Sequence, residues 1–176
     1  VAVNVGELAN RDGVDYTMLF LHTKSGTDPR GLGLRDDMLE RALDFAATLQ
    51  RRVEDGPVNY IFLGDFNIMG MQYRYVRERD IIATHELRKL EQGAKRRKMK
   101  VLDKDEPNTW WGGGKLAPSN LDFVVARDHI PFKKFGGSEV SVRGWPKIAE
   151  PDEQLRWVRE MSDHGLLFFE VQRPQQ

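Results

Sequence analysis

Three short runs in this sequence are apolar at neighbouring positions rather than at alternate ones. They are Tyr60-Ile61-Phe62-Leu63, Leu121 with Phe123 and Val124, and Leu167-Phe168-Phe169. Successive side chains of a strand point to opposite faces, so strands of this kind need cover on both sides. The helices legible in the chain cover one side. The other face is therefore expected to bury itself against a second layer, supplied by a preceding half-domain or by a second copy of the chain. No apolar run is long enough to span a bilayer.

The periodicity along the chain fits that constraint. Val1, Val3 and Val5 alternate with smaller or polar residues, Asn10 to Gly13 offer turn chemistry, and Tyr16 to Leu21 form a second strand. Met38, Leu39, Ala42, Phe45, Ala46, Leu49 and Val53 recur at helical spacing, which predicts a helix over Arg35 to Val53 ending before Gly56-Pro57. Val58 to Leu63 is a third strand, and a second helix lies between Met71 and Met99. After a Gly/Pro/Asn-rich loop from Pro107 to Asn120, strands are predicted at Leu121 to Ala126, Glu139 to Val142 and Leu166 to Val171. The 176 residues, 40% hydrophobic and 31% charged, suit one globular domain or part of one.

Composition removes several chemistries. The chain has no cysteine, which excludes disulfides, zinc–thiolate sites and a thiol nucleophile, and leaves a metal only oxygen and imidazole ligands. Lys plus Arg equals Asp plus Glu at 27 each, so a polyanionic partner would have to be held by a local patch. Gly112-Gly113-Gly114-Lys115 is not a phosphate loop, because Leu116 follows the lysine and no six-residue glycine spacing precedes it.

Polar residues collect at strand ends. One strand runs into His22 and another through Gly64 into Asp65 and Asn67, whereas Asn120 and Asp122 open a third and Asp163-His164 a last. If the first two strands run antiparallel to the others, His22, Asp65, Asn67, Asp122, Asp163 and His164 line one edge. Each alone has a plainer explanation. His22 fits a structural histidine, Asp65 and Asn67 fit a turn bonded to its own backbone, and Asp163-His164 fits an ordinary turn. Asp122 lies inside an apolar strand, where a carboxylate needs a partner.

Gly64-Asp65-Phe66-Asn67, Ser119-Asn120-Leu121-Asp122 and Ser162-Asp163-His164-Gly165, preceded by His22-Thr23-Lys24-Ser25, together resemble the ordered motifs of the endonuclease/exonuclease/phosphatase superfamily. The resemblance implies an α/β fold, the deoxyribonuclease-I-like α/β/β/α sandwich, of which this chain supplies one mixed sheet with its helical layer. It makes residues 1–176 the C-terminal part of a single such domain. The implied activity is Mg²⁺- or Mn²⁺-dependent hydrolysis of phosphate esters by an activated water, as a phosphodiesterase or nuclease. A phosphomonoesterase, or a non-catalytic interaction module keeping the fold, stands as the alternative.

By motif, Asp65 would orient and deprotonate the water or bind an ion with Asn67, and Asn67 would also steady the transition state. His164 would contact the phosphate or act as base, and Asp122 would hold its imidazole in one tautomer. Asp163 would ligate the metal, and His22 would donate to a phosphate oxygen. The superfamily also needs an upstream Asn strand and a metal-binding Glu. Asn4 and Glu7 imitate that pair by type but lie in one short stretch, so the chain by itself is expected to have little activity. For substrate binding the candidates are Lys95, Arg96, Arg97 and Lys98 as a phosphate patch, with Trp110 and Trp111 as stacking platforms. A solvated helix face and two loop aromatics packed on the core are the plainer account of both.

Overall fold

The computed structural model describes residues 2–4, 15–54 and 56–172. The chain is mixed α/β and divides into two compact units, 1–101 with 123–130 and 102–122 with 131–176.

The first unit is a mixed five-stranded sheet with two helices. Its strands are β1 (Ala2–Asn4), β2 (Thr17–His22), β3 (Tyr60–Asp65), β4 (Met99–Val101) and β5 (Asp122–Arg127), ordered β1-β2-β3-β5-β4. β2 and β3 run parallel, with His22 level with Asp65, while β1 pairs antiparallel with β2 and β4 with β5. The Asn10 to Gly13 turn and Glu7 lie outside the described residues.

Helix α1 (Pro29–Gln50) starts six residues before the expected Arg35. The apolar stripe does not mark its start. Capping does: the Asp28 carboxylate accepts from the Arg30 and Gly31 amides at 3.0 Å each, and Pro29 occupies the first turn, where its missing N–H is no loss. Leu39, Ala42, Leu43 and Ala46 form the buried stripe of α1, and Leu90 and Ala94 that of α2 (Ala83–Arg96). Both pack on the sheet face that carries Tyr60, Phe62, Phe123 and Val125. Phe45, Tyr60, Phe62, Phe66 and Phe123 stand in a continuous row with ring centroids 5.5 to 5.8 Å apart. Tyr60 donates to Ala42 O at 3.0 Å, and burial pushes its phenol above the ordinary range.

The opposite face departs from expectation. Ile61, Leu63, Val124 and Ala126 are all buried within this one chain, so β3 and β5 leave no bare surface that needs a second chain. On that face Phe20 of β2 is 46% accessible.

The second unit pairs β6 (Ser141–Arg143) antiparallel with β7 (Leu166–Phe168) and carries α3 (Pro151–Glu160), which the sequence did not announce. Trp145 is buried in it, and Trp111 packs against Trp145 at 5.8 Å. Among the described residues no helix is long and apolar enough to cross a membrane.

Candidate functional site

In the first unit the parallel pairing of β2 and β3 delivers His22 and Asp65 side by side at the strand ends, with His22 Nε2 3.5 Å from Asp65 Oδ2. The close approach depends on Gly64, whose φ is +132° and where a Cβ would sit 2.1 Å from Leu21 O. The chain then turns sharply, with Asn67 in the left-handed region at φ 49°, a conformation asparagine tolerates better than most residues. Asn67 is buried and wraps around Asp65. Its backbone N–H donates to Asp65 Oδ1 and its Nδ2 to Asp65 Oδ2, both at 2.9 Å, with a further bond to Thr23 O at 3.2 Å. Thr23 is buried too, its hydroxyl donating to Phe66 O at 2.6 Å and its backbone N–H to Asp65 O at 2.9 Å. With Nδ2 committed as a donor, the Asn67 Oδ1 is the atom left to accept or to ligate. The Asp65 carboxylate is held by its neighbours in one orientation, as a group that must present an oxygen to a water needs to be.

A buried ion pair supports this turn from below. Arg35, on α1, is fully buried and donates to Glu86 Oε1 and Oε2 of α2 at 2.8 and 3.0 Å. It also donates to the carbonyls of Lys24, Gly26 and Gly70 at 3.2, 2.6 and 2.9 Å, and the Gly70 amide donates back to Glu86 at 2.9 Å. These carbonyls belong to the loops on either side of Asp65–Asn67. The sequence showed Arg35 only as the start of a helix.

In the second unit, Asp122 and His164 are partners. His164 Nδ1 lies 2.9 Å from Asp122 Oδ2, with the carboxylate nearly buried and the imidazole partly exposed. Asp122 is fixed at its backbone, since Thr109 Oγ1 accepts from the amides of Leu121 and Asp122 at 3.0 and 2.9 Å. Lys104 Nζ donates to Asn120 Oδ1 and to Asp122 O, both at 2.5 Å. Burial pulls the Lys104 ammonium down to about 8, against the opposing charges of Asp122 and Glu106. Neither Lys104 nor Thr109 had drawn notice in the sequence. Both are single residues in a loop without periodicity.

Asp163 is exposed and accepts from Trp110 Nε1 at 2.9 Å, while its backbone carbonyl takes Trp111 N–H and Trp145 Nε1 at 2.9 and 3.1 Å. Trp110 is thus tied to the carboxylate rather than presented as an open platform, and Trp111 donates to Leu116 O at 2.7 Å. The basic run divides. Arg97 is held by Glu40 and Asp44 of α1 at 2.7 Å each, which makes it a helix-to-helix tie, whereas Lys95, Arg96 and Lys98 are exposed. Of the six strand-end residues, His22, Asp65 and Asn67 gather in the first unit, and Asp122, Asp163 and His164 in the second. Among the described residues, no three His, Asp or Glu side chains come together as a metal-binding group.

No family model matches the sequence, and no curated protein matches it. A solved structure that does match is the β-hairpin deletion mutant of beta toxin from Staphylococcus aureus. Identity is 13% and the TM-score 0.48, over 72% of this chain and 44% of the toxin chain. The chain spans less than half of that toxin's length, and its function has to be argued from its own residues.

Proposed function

We propose that this chain hydrolyses phosphate esters with an activated water, and that diesters are its substrates. The observation that carries the reading is the Asp122–His164 pair. A carboxylate fixed at its backbone by Thr109 and Lys104 holds Nδ1 of a partly exposed imidazole at 2.9 Å, which assigns the tautomer and makes Nε2 the atom that exchanges a proton or meets a phosphate oxygen. The second support is the Asp65–Asn67 turn, in which one carboxylate is oriented by two donors from one asparagine. A phosphodiester is anionic and repels hydroxide, so its hydrolysis calls for a positioned base, donors to the non-bridging oxygens and relief for the leaving oxygen. Asp65 orients the water, Asn67 and His22 meet phosphate oxygens, and His164 takes or returns the proton.

In the same reading the mixed sheet and its helices are one part of a deoxyribonuclease-I-like α/β/β/α sandwich of the endonuclease/exonuclease/phosphatase superfamily. Its cofactor would be Mg²⁺ or Mn²⁺, and the residues proposed to ligate it are Asp65 and Asn67 in the first unit and Asp163 in the second. Such an ion would neutralise charge on the phosphate and lower the pKa of a bound water. The described residues do not by themselves complete a site for it, because a hard divalent ion takes more oxygen ligands than either unit offers.

The test is turnover of bis-p-nitrophenyl phosphate against p-nitrophenyl phosphate, with Mg²⁺, Mn²⁺ or chelator. It is run on this chain and on a version extended through the upstream coding sequence. Diester turnover, measured well below the melting point of each variant, should fall at least about 100-fold in Asp65→Ala and in His164→Ala. Equal turnover in the Asp65→Ala variant, or none in either version with either metal, removes the proposal.

A further inference from the structure

Beyond Asn67 the first unit carries a feature that hydrolysis of a small diester does not require. Residues 72–82 form an arm whose base is closed by reciprocal Met71–Ile81 backbone bonds of 2.7 and 2.8 Å. Gly70 makes that closure possible, since its φ is +76° and a Cβ there would lie 2.1 Å from Ile81 O. The arm is ordered internally. Asp80 Oδ1 accepts from Tyr73 N–H at 2.5 Å, and a 3₁₀ turn spans Arg77–Arg79. It is anchored to the site, because Gln72 N–H donates to Thr27 O at 2.7 Å and Gly70 is gripped by Arg35 and Glu86. The loop that begins with Thr23 and Lys24 is thereby held beside it.

Its outer surface is basic and aromatic. Tyr75 is 83% exposed, which is unusual for a large ring, and its only ring partner among the described residues is the Arg74 guanidinium at 5.7 Å from the centroid. Arg74 and Arg79 are exposed and have no carboxylate partner among the described residues, while Arg77 reaches Asp80 only at 3.9 Å. Lys24 is also exposed. An exposed ring with a guanidinium over one face, on an arm that carries further exposed guanidinium groups, suits a ligand with flat bases and regularly spaced phosphates. An anionic lipid surface supplies the phosphates but not the bases, and the arm's exposed apolar Val76 and Ile82 are separated by Arg77, Glu78 and Arg79 where a membrane anchor would need them contiguous.

We propose that the 72–82 arm is a contact surface for single-stranded nucleic acid, with Tyr75 stacked on a base and Arg74, Arg79 and Lys24 on the flanking phosphates. This rests on the phosphodiesterase reading and deepens it by naming a polynucleotide as the substrate.

Binding of a fluorescein-labelled, mixed-sequence single-stranded oligonucleotide is measured by anisotropy from 50 to 300 mM NaCl. It is compared with bis-p-nitrophenyl phosphate turnover and with sedimentation on phosphatidylserine vesicles. The double variant R74E/R79E should bind more weakly and lower the log–log salt slope by roughly 1.4, about 0.7 for each lost contact. Tyr75→Ala should weaken binding by about 5- to 100-fold and Tyr75→Phe should restore it, with melting and small-diester turnover unchanged in every variant. The proposal is overturned if the wild-type chain does not bind the oligonucleotide, or if affinity and slope survive both changes. It is equally overturned if the arm variants lose vesicle binding alone. Oligonucleotide binding that depends on the arm, without turnover of any diester, would support the arm and discard the hydrolytic reading. Small-diester turnover without oligonucleotide binding would do the reverse.

Discussion

Replacing Arg35 by methionine should be among the most damaging single changes in the first unit. The side chain is fully buried and makes five hydrogen bonds, two to Glu86 and one each to the carbonyls of Lys24, Gly26 and Gly70. Methionine keeps much of the volume but leaves the Glu86 carboxylate, itself nearly buried, without its counter-charge. Breaking a buried pair from one side costs about 3–5 kcal/mol. At roughly 2–4 °C per kcal/mol for a chain of this size, the melting temperature should fall by about 6–20 °C. Glu86→Gln in the Arg35→Met background removes the orphaned charge and should recover part of the loss, leaving mainly the three unsatisfied carbonyls. Those carbonyls sit on the loops that frame Asp65 and Asn67, so diester turnover measured well below the new melting point should also fall. Denaturant melts of the two single variants and the double variant close the cycle. A loss below about 1 kcal/mol in Arg35→Met, or a double variant no better than the single, would refute the account in terms of a stranded buried charge.

Three further outcomes follow from the described contacts. Lys104 titrates at about 8 in the folded chain against 10.5 when unfolded, so below pH 8 its burial is a constant penalty. Between pH 8 and 10.5 the unfolded chain holds a proton that the folded chain has lost, and stability rises with pH, by about 2 kcal/mol up to pH 9.5. Denaturant melts across pH 7.5 to 9.5 should show that rise in the wild type and a flat profile in Lys104→Met; above pH 10 the buried Tyr60 phenol acts in the opposite direction. Arg97→Ala should lower stability by about 1 kcal/mol by untying Glu40 and Asp44. Charge reversal at the exposed Lys95, Arg96 and Lys98 should leave the melt unchanged, and an unchanged salt slope of oligonucleotide binding there would mark the run as a solvated helix end.

Local patterning carried the sheet, and tertiary partners decided most of what it missed. Period-two and doubly apolar runs placed β2, β3, β5 and β7 to within a few residues, because their side chains report burial directly. The apolar stripe gave α1 its face but not its start, since the Asp28 cap and Pro29 precede the stripe. Helix α3 was missed because it is only ten residues long and none of them is fully buried, although Leu155, Trp157 and Val158 turn a partly buried face inward. Burial of Ile61, Leu63, Val124 and Ala126 was legible as a requirement, whereas its fulfilment inside one chain was not. A pattern records that a face must be covered and is silent about what covers it.

The candidate site divides along the same line. Asp65 and Asn67 were visible because one short stretch both makes the turn and carries the polar groups proposed for the chemistry. Gly64 lets the backbone come against Leu21, and Asn67 then adopts the left-handed conformation that turns its amide onto Asp65. The sequence also marked Asp122 as a carboxylate in need of a partner, and His164 supplies it across 42 positions of chain. Arg35, Thr109 and Lys104 left no such trace. Arg35 and Lys104 act on backbone carbonyls, and Thr109 on backbone amides. Every residue has those groups, so no side-chain pattern at the receiving positions can announce the donor or acceptor. The groups proposed to perform chemistry are therefore easier to find in one sequence than the groups that hold them still. A substitution at the second kind would be judged harmless from sequence although it loosens the geometry on which the first kind depends.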